Sequence, residues 1–415
     1  MAMKESGIEW VGLIPDDWKI AKNNRLFNIS KQLVNENWKN TQLLSLTKSG
    51  IIEKNINDGG GKQPESFGTY QYVEKDDIVL CLFDIDVSAV FSDRSKYDGM
   101  ISPAYRVMKC TDAILPVYAK WWFDAVNIGR YYLIYTKSLR KTIDADGFGN
   151  ILTVVPPLSE QQAIADYLDE TCSKIDEIIA EANASVEEYK ELKQSVIDNA
   201  TMTGIHDSEM KNTDYVWFPE MPKSWDLVLA SLLFREDVRP VDANDVSLSL
   251  SQVDGLIPTD DMSERSLKSA THDNWKHVIP DDLVLNRFKG HLGVFFASKY
   301  TGMVSFHYGV YHAIRDDVYA KYYEYLFHST TYKNIFALKS NGITVGLQNL
   351  SNGNFYSVKI LHPTLDEQIE IVKYLDKRIA EIDSLIAEKE SLINDLEAYK
   401  KSLIYEVVTG KRRVV

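Results

Sequence analysis

The chain of 415 residues is long enough for two or three domains, and its 45% hydrophobic and 11% aromatic content is typical of packed globular cores. The formal net charge of −14 argues at first against nucleic acid, but residues 158–200 (11 acidic, 3 basic) and 363–409 (11 acidic, 6 basic) carry −13 of it, which leaves the remainder about neutral. No apolar run approaches the roughly 20 residues that span a bilayer, the amino terminus lacks a signal-peptide core, and three scattered cysteines argue against disulfides and zinc and for a reducing cytoplasm.

Residues 1–157 are predicted to form a mixed α/β domain. Strand patterns occupy Ile78–Phe83 and Tyr105–Met108, and an aromatic helix begins near Tyr118. Three glycines precede Lys62, as in a phosphate-binding loop, but Gln63 stands where that motif needs Ser or Thr. The pattern therefore favours a flexible loop over a nucleotide site.

Residues 158–204 are predicted to form one long helix. Apolar residues recur every seven positions with a second, alternating row between them, and neither Pro nor Gly interrupts the pattern. Ser159 fits a helix start with an acceptor three residues on, and Gly204 fits the stop. At 1.5 Å per residue the helix would be on the order of 60 Å long.

The rest of the chain repeats this plan, with a second mixed α/β domain predicted over residues 205–362 and a second long helix over 363–415. Strand patterns recur at Leu283–Leu285 and Val294–Ala297, and an aromatic helix begins near Tyr319. Six residues of the first helix recur at an offset of 207: Glu160, Tyr167, Leu168, Asp169, Ile175 and Asp176. Fainter matches pair Trp18 with Trp225, Asp76–Leu80 with Asp281–Leu285, and Val117–Lys120 with Val318–Lys321. The chain is therefore a duplicated domain-plus-helix with divergent loops.

The heptad seams need partners, and each helix is the natural partner of the other. Antiparallel packing would place the two domains at opposite ends of a coiled-coil rod with approximate twofold symmetry, whereas the alternative is that each helix packs only on its own domain. The acidic runs fit a solvated helix face, or else a docking surface for a basic partner.

No catalytic or metal-ligand pattern occurs in both copies, so the chain is predicted not to be an enzyme. Polar side chains in the divergent loops suit base edges and phosphates instead, and Arg287 is predicted to read a base and Lys96 a phosphate. The candidate DNA-binding residues are Lys62, Gln63, Arg94, Lys96, Arg140, Lys141, Arg265, Lys268, Arg287, Lys289, Asn341 and Gln348. Arg94 with Lys96, and Arg287 with Lys289, are predicted to follow matching strands of the two copies.

Several of these features together resemble the specificity subunit of type I restriction–modification systems. The resembling segments are Gly7–Trp10 and Ile14–Trp18 with the second-copy Trp225, the Pro-Pro-Leu-Ser-Glu-Gln-Gln run at 156–162 with its counterpart at 365–368, the heptad helices, and Val408–Lys411. The second copy departs from the pattern at His362–Thr364, which replaces the double proline, and at Arg378 and Lys389 in the seam.

The resemblance implies two target-recognition domains that each read one half of a split site in double-stranded DNA, with the helices as spacer. It also implies two methyltransferase subunits docked on the helices, with motor/nuclease subunits added for cleavage. No cofactor is then expected on this chain, and S-adenosylmethionine, ATP and magnesium belong to the partner subunits. Two other hypotheses remain open, namely a two-headed intracellular scaffold that binds proteins and a stand-alone DNA-modifying enzyme.

Overall fold

The computed structural model describes residues 2–30, 32–56, 66–87, 91–136, 140–251, 255–262, 274–344 and 347–414, without the side chains of 342–347. The chain divides into two compact units, Met1–Asn183 with Ser391–Val415 and, between them in sequence, Ala184–Glu390. Among the helices that the structure describes, none has the length and apolar character needed to cross a bilayer.

The first unit contains two four-stranded sheets and two short strand pairs. One sheet has the order Gly50–Lys54, Leu43–Thr47, Gly99–Ile101, Gln71–Val73, and the other has the order Phe27–Ile29, Arg106–Cys110, Ile78–Leu80, Ser92–Arg94. The pairs are Met3–Glu5 with Leu13–Pro15 and Lys19–Lys22 with Leu152–Val155. The short helices are Asn23–Leu26, Asn35–Asn40, Pro116–Ile128, Tyr131–Tyr135 and Ala145–Asn150.

The second unit repeats this topology and adds a hairpin, Asn341–Thr344 with Leu347–Asn349. One sheet has the order Gly255–Pro258, Val246–Ser251, Gly302–Val304, Lys276–Val278. The other sheet has the order Phe234–Glu236, Tyr308–Ala313, Leu283–Asn286, Phe295–Ala297. Its strand pairs are Met210–Tyr215 with Phe218–Pro222 and Asp226–Leu229 with Lys359–His362. Its short helices are Ala230–Leu232, Thr259–Asp261, Gly290–Leu292, Ala320–Phe327, Thr330–Lys339 and Asn352–Tyr356.

The strand at Ile78–Leu80 is central because both of its faces are buried. Val79 faces the core between the two sheets, while Ile78 and Leu80 join the larger core with the aromatic helix Pro116–Ile128. Alternate residues of a strand point to opposite faces, so a run of apolar residues belongs between two packed layers. The strand Leu283–Asn286 is buried in the same way, and each unit thus has a rigid support for the loops that leave the sheet.

The two long helices span Leu158–Thr203 and Leu365–Val408, which confirms the helical predictions. Both end at glycines with left-handed backbone, Gly204 (φ 81°) and Gly410 (φ 73°), as the sequence predicted. The predicted cap at Ser159 is wrong, because that residue already lies inside the first helix. A reciprocal capping pair occurs only at the second helix, where the Thr364 N–H donates to Glu367 (3.1 Å) and the Glu367 N–H donates to the Thr364 hydroxyl (3.4 Å).

Each long helix is fastened to its domain by a buried glutamine in its first turn. Gln161 accepts from the Leu115 N–H (2.7 Å) and donates to the carbonyls of Ala113 (3.1 Å) and Pro156 (2.8 Å). Gln368 makes the same three bonds, accepting from the Tyr319 N–H (2.8 Å) and donating to two carbonyls at 2.9 Å. These bonds satisfy buried backbone groups and fix the angle at which the helix leaves the domain.

The neighbouring glutamates bind the repeated tryptophans. The buried Trp18 indole donates to Glu160 (3.0 Å), and the equally buried Trp225 indole donates to Glu367 (3.2 Å). Arg413 also forms an ion pair with Glu160, at 2.6 Å. Trp18 and Trp225 are therefore packing residues that join each domain to a long helix.

The aromatic helices show that one sequence match was displaced by a helical turn. Gln161 holds Leu115 and Gln368 holds Tyr319, so the structural offset here is 204 residues rather than the 201 implied by Val117–Lys120 and Val318–Lys321. Tyr118 and Tyr322 are then equivalent, and each donates its hydroxyl to a carbonyl of a long helix, Val408 and Thr201 respectively. The match of those two tetrapeptides is therefore wrong as a structural alignment.

The two long helices contact each other in antiparallel order within each unit. In the first unit Lys400 pairs with Asp176 (2.6 Å), and Arg413, five residues beyond the end of the second helix, pairs with Glu160. Residue numbers therefore rise along the second segment as they fall along the first helix. In the second unit Lys193 pairs with Asp383 at 2.7 Å. Asp383 lies 207 residues after Asp176, and Lys400 lies 207 after Lys193, so the two ion pairs are internal repeats of each other.

One of the two predicted apolar rows is buried or half-buried between the helices, and the other is partly exposed. Leu168, Ile175 and Ala182 are buried in the first row. In the alternating row the side chains from the middle of the helices are 40–46% exposed: Ile178, Leu192, Leu385, Leu392 and Tyr399. We call these five residues the exposed row. The predicted long helices do pack on each other, but over this stretch each covers only a narrow stripe of the other, so the exposed row stays partly in contact with water.

Candidate nucleic-acid interface

The second unit gathers four of the predicted DNA-binding residues at one end of its central strand. Arg287 and Lys289 follow the strand Leu283–Asn286 and lie beside the hairpin strands Asn341–Thr344 and Leu347–Asn349. The Leu350 N–H donates to the Arg287 carbonyl (3.2 Å), and Lys289 and Gln348 form an isolated parallel bridge. The hairpin and the loop therefore form one polar edge that includes Asn341.

Lys289 and Asn341 are exposed at this edge, and Gln348 is half-buried. The loop that carries Lys289 is ordered by Asn286, whose side chain accepts from the Phe288 N–H (3.2 Å) while its carbonyl accepts from the Lys289 N–H (3.0 Å). A lysine and two side-chain amides held on hydrogen-bonded backbone can contact phosphates and adenine edges.

Arg287 belongs to this edge, but its guanidinium is directed into the domain. It forms an ion pair with Glu236 (2.6 Å) and donates to the Asn352 side chain (2.8 Å). Although burial opposes ionisation of Glu236, hydrogen bonds from Lys276, Asn352 and Arg287 hold the pKa of that carboxyl below its usual value. This geometry gives Arg287 a structural role. Its predicted contact with a base stays a prediction and would require the guanidinium to leave Glu236.

The corresponding edge of the first unit carries Arg140 and Lys141. The Asp84 N–H donates to the Arg140 carbonyl (2.9 Å) and the Ile85 N–H to the Lys141 carbonyl (3.4 Å). The Ile143 N–H donates to the Leu82 carbonyl (2.9 Å), which is the equivalent of the Leu350–Arg287 bond in the second unit. Both basic side chains are exposed, so the structure brings them to the position that the hairpin occupies in the other copy.

Arg94 and Lys96 lie elsewhere, and their predicted equivalence to Arg287 and Lys289 is wrong. Arg94 stands opposite Ile78, at the start of the central strand, and it forms an ion pair with Asp76 at 3.2 Å. The residue of the second unit in that register is Ala297. The prediction failed because Arg94 ends the neighbouring antiparallel strand Ser92–Arg94, which runs back towards the start of the central strand Ile78–Leu80. Contact of Arg94 or Lys96 with DNA stays a prediction.

The remaining candidates, Lys62, Gln63, Arg265 and Lys268, lie outside the residues that the structure describes. Sequence reasoning missed three exposed rings beside Lys289, those of Phe288, Phe306 and His307. Their signal was a Phe-His pair between two strands, where turn residues are expected. In the described part of the chain no group of three or more His, Cys, Asp or Glu side chains could hold a metal ion.

Comparison with known proteins gives a family match and a shared fold. Residues 259–395 match the family model described as Type I restriction modification DNA specificity domain. A chain from a structure on complex assembly and conformational transition of the type I R-M system shares the fold with a TM-score of 0.69 and 12% identity, over 96% of this chain and 99% of that one. The HsdS subunit from Thermoanaerobacter tengcongensis shares it with a TM-score of 0.54 and 12% identity, over 96% and 98% of the two chains.

The search of curated proteins gives no match. The family model and the shared fold confirm the resemblance to type I specificity subunits, and residues 259–395 are the part of the chain that matches the DNA specificity domain.

Proposed function

We propose that this chain is the sequence-specific DNA-binding specificity subunit of a type I restriction–modification complex. The observation that carries the proposal is the match of residues 259–395 to the DNA specificity domain, a range that includes the whole polar edge around Lys289 and Gln348. The repeat then makes the chain bipartite. Residues 1–157 and 205–362 are the two target-recognition domains, each reading one half-site, and residues 158–204 and 363–415 are the helical spacers.

The partners follow from what the helices leave uncovered. The exposed row places apolar side chains at repeated positions of both helices, since Ile178 and Leu385 are 207 residues apart, as are Leu192 and Tyr399. Exposed apolar side chains at regular helical spacing support a docking surface for a partner. We assign this surface to two methyltransferase subunits, one for each copy, with motor/nuclease subunits joining the assembly for cleavage.

The chemistry belongs to those partners in this proposal. This chain contributes base and phosphate contacts through the loops at the ends of its central strands, and it performs no catalytic step. A methyl donor, ATP and magnesium would bind the partner subunits, and the protein would act in the cytoplasm, where the DNA is.

The test is methylation mapping with and without this chain. The chain is expressed together with type I methyltransferase subunits from its own source genome in a host that lacks adenine methylation, and methylated adenines are then mapped across the host genome. We expect one split sequence with a fixed unspecified gap. Methylation by the purified chain alone, or an unchanged pattern when the chain is omitted, would contradict the proposal.

Docking is tested with charged substitutions in the exposed row. Ile178→Glu combined with Leu385→Glu should abolish copurification with the methyltransferase, because each buries a charge at an apolar contact. Asn183→Glu combined with Ser384→Glu is the matched control, since both residues are exposed and polar and each long helix carries one of them. Loss of copurification in the control as well would show that charge on the helices, and not the exposed row, is responsible. The double variant should keep its fold, which circular dichroism checks.

A further inference from the structure

The turn between two strands of the second unit has an unusual composition. The Tyr308 N–H donates to the Ser305 carbonyl (3.0 Å), which closes a β-turn between Gly302–Val304 and Tyr308–Ala313. Its two tip residues are Phe306 and His307, and Phe306 is 53% exposed. Gly, Asn, Asp, Pro and Ser dominate such positions. A phenylalanine there leaves apolar area in water without serving the turn.

The turn is part of a larger group of rings. The Phe306 and His307 ring centroids are 3.8 Å apart, and His307 lies 4.9 Å from Phe288, which is 41% exposed. We call Phe288, Phe306 and His307 the aromatic ledge. The exposed Lys289 follows Phe288 directly and is bridged to Gln348, so apolar rings and the polar edge share one surface.

The first unit has the same turn without the ledge. The Tyr105 N–H donates to the Ser102 carbonyl (3.1 Å), and the tip residues are Pro103 and Ala104. Strand register shows that the two turns are equivalent. Leu80 and Leu285 are matching residues of the two central strands, and the residues that pair with them are Arg106 and Gly309, each of which follows its turn. The equivalent of Phe288 is Phe83, which is half-buried against Tyr105 with centroids 6.0 Å apart. The ledge is therefore a property of one copy and not of the scaffold.

We propose that the aromatic ledge contacts the bases of the half-site read by the second domain, with the Phe306 ring entering between two stacked base pairs. This inference rests on the proposed function. Phenylalanine is one of the residues that wedge between base steps and partly unstack them. We expect the ligand of the ledge to be duplex DNA, because the exposed Lys289 beside the rings carries a charge that is complementary to a phosphate backbone.

Two features of the structure suit this role. The turn is closed by a hydrogen bond and continues into paired strands, so little conformational freedom is lost when the ring is inserted. His307 packs against Phe306 and limits the directions that the ring can take. The first domain presents Pro103 and Ala104 instead. Proline is also found as a wedge, but Pro103 reaches less far from the backbone than Phe306 does, so we expect the first domain to read its half-site without unstacking.

The experiment uses the assembled methyltransferase complex and the cognate duplex identified by methylation mapping. 2-Aminopurine is placed at successive steps of each half-site, away from the methylated adenines, since its fluorescence rises when it unstacks. Replacing residues 1–157 by the domain of a relative changes one half-site and so identifies the half-site of the second domain. With the parent chain we expect a rise at one step of that half-site and none in the other.

Phe306→Ala should abolish the rise and weaken cognate binding by roughly tenfold, the scale of one lost aromatic contact with a base. Phe306→Leu should restore part of both, because leucine also acts as a wedge. Tyr300→Ala is the matched control, since that ring is 41% exposed in the same unit but outside the ledge, and it should behave like the parent. Exposed positions change stability by little, so the variants should remain folded.

A parent complex that binds its site without any fluorescence rise would overturn the wedge, as would Phe306→Ala with parental binding and fluorescence. Loss of preference for a thymine without unstacking would also overturn it, since that result indicates contact with a methyl group. These outcomes leave the proposed function intact. A parent complex with no sequence preference at all would instead remove the proposed function, and this inference with it.

Discussion

Replacing the buried glutamine in the first turn of the first long helix should destabilise the unit to which it belongs. Gln161 is fully buried, and Gln161→Leu keeps the side-chain size while removing all three of its hydrogen bonds. Ala113 is an exposed residue, so its carbonyl can turn to water, but Pro156 is buried and Leu115 is half-buried. Each unsatisfied buried group costs about 1–3 kcal/mol, so the expected loss of unfolding free energy is about 2–4 kcal/mol.

The loss is measured by thermal unfolding and by hydrogen exchange at single amides. For a unit of roughly 200 residues, 3 kcal/mol corresponds to a fall in Tm of about 6–12 °C. The Leu115 amide should lose its protection against exchange, while the Tyr319 amide, which Gln368 holds in the other unit, should keep it. The protected amide serves as an internal standard in the same sample.

A matched control lies one residue further along the helix. Gln162 is exposed and bonds only to the exposed Asp166 (2.7 Å), so Gln162→Leu should change the unfolding free energy by less than about 0.5 kcal/mol. Gln368→Leu should reproduce the loss in the second unit, with the roles of the two amides exchanged. If Gln161→Leu costs no more than Gln162→Leu, the glutamines do not fasten the helices and the reasoning fails.

Four further outcomes are expected. Arg287→Ala should cost the second unit about 1.5–3 kcal/mol through the lost ion pair, and a relaxed preference for one base with parental stability would show instead that the side chain reads DNA. Burial first, and then two nearby lysines, lower the pKa of His328 to about 3, so the folded state resists protonation. The free energy of unfolding is therefore unaffected by this group above the unfolded pKa of about 6.5 and falls as the pH drops from about 6.5 towards 3, by about 2 kcal/mol at pH 5. His328→Phe should make the free energy of unfolding less dependent on pH, as denaturant titrations at pH 7 and 5 can measure. Burial raises the pKa of the Cys110 thiol to about 12, so at pH 8 iodoacetamide should label it roughly a thousandfold more slowly than in the unfolded chain, as mass spectrometry can measure. Repeating Ala182–Ser185 adds about 6 Å of helix and should lengthen the unspecified gap of the methylated site by one or two base pairs, whereas an unchanged gap with full activity would contradict a spacing role for the helices.

The sequence by itself determined the features that depend on local periodicity and on repetition. The long helices and their ends at Gly204 and Gly410 follow from heptads, from unbroken helix formers and from the backbone freedom of glycine, all of which act within a few residues. The central strands were readable as apolar runs at Ile78 and Leu283 because both faces are buried. The duplication was readable because Glu160 and its neighbours recur at one offset. The structure explains the recurrence of the glutamate, since Glu160 and Glu367 each accept a hydrogen bond from a buried tryptophan, Trp18 or Trp225.

The tertiary structure decided what depends on register and on distant partners. Arg94 follows the central strand in sequence, yet the next strand returns it to the opposite end of the sheet. Arg140 lies 60 residues downstream of Leu80, yet it reaches the edge of the first unit that corresponds to the polar edge of the second. The role of Arg287 depends on Glu236, which comes from another strand, and the exposure of Ile178 depends on how much of one helix the other covers. Such relations arise from packing between segments far apart in the chain, and no periodicity of the sequence records them.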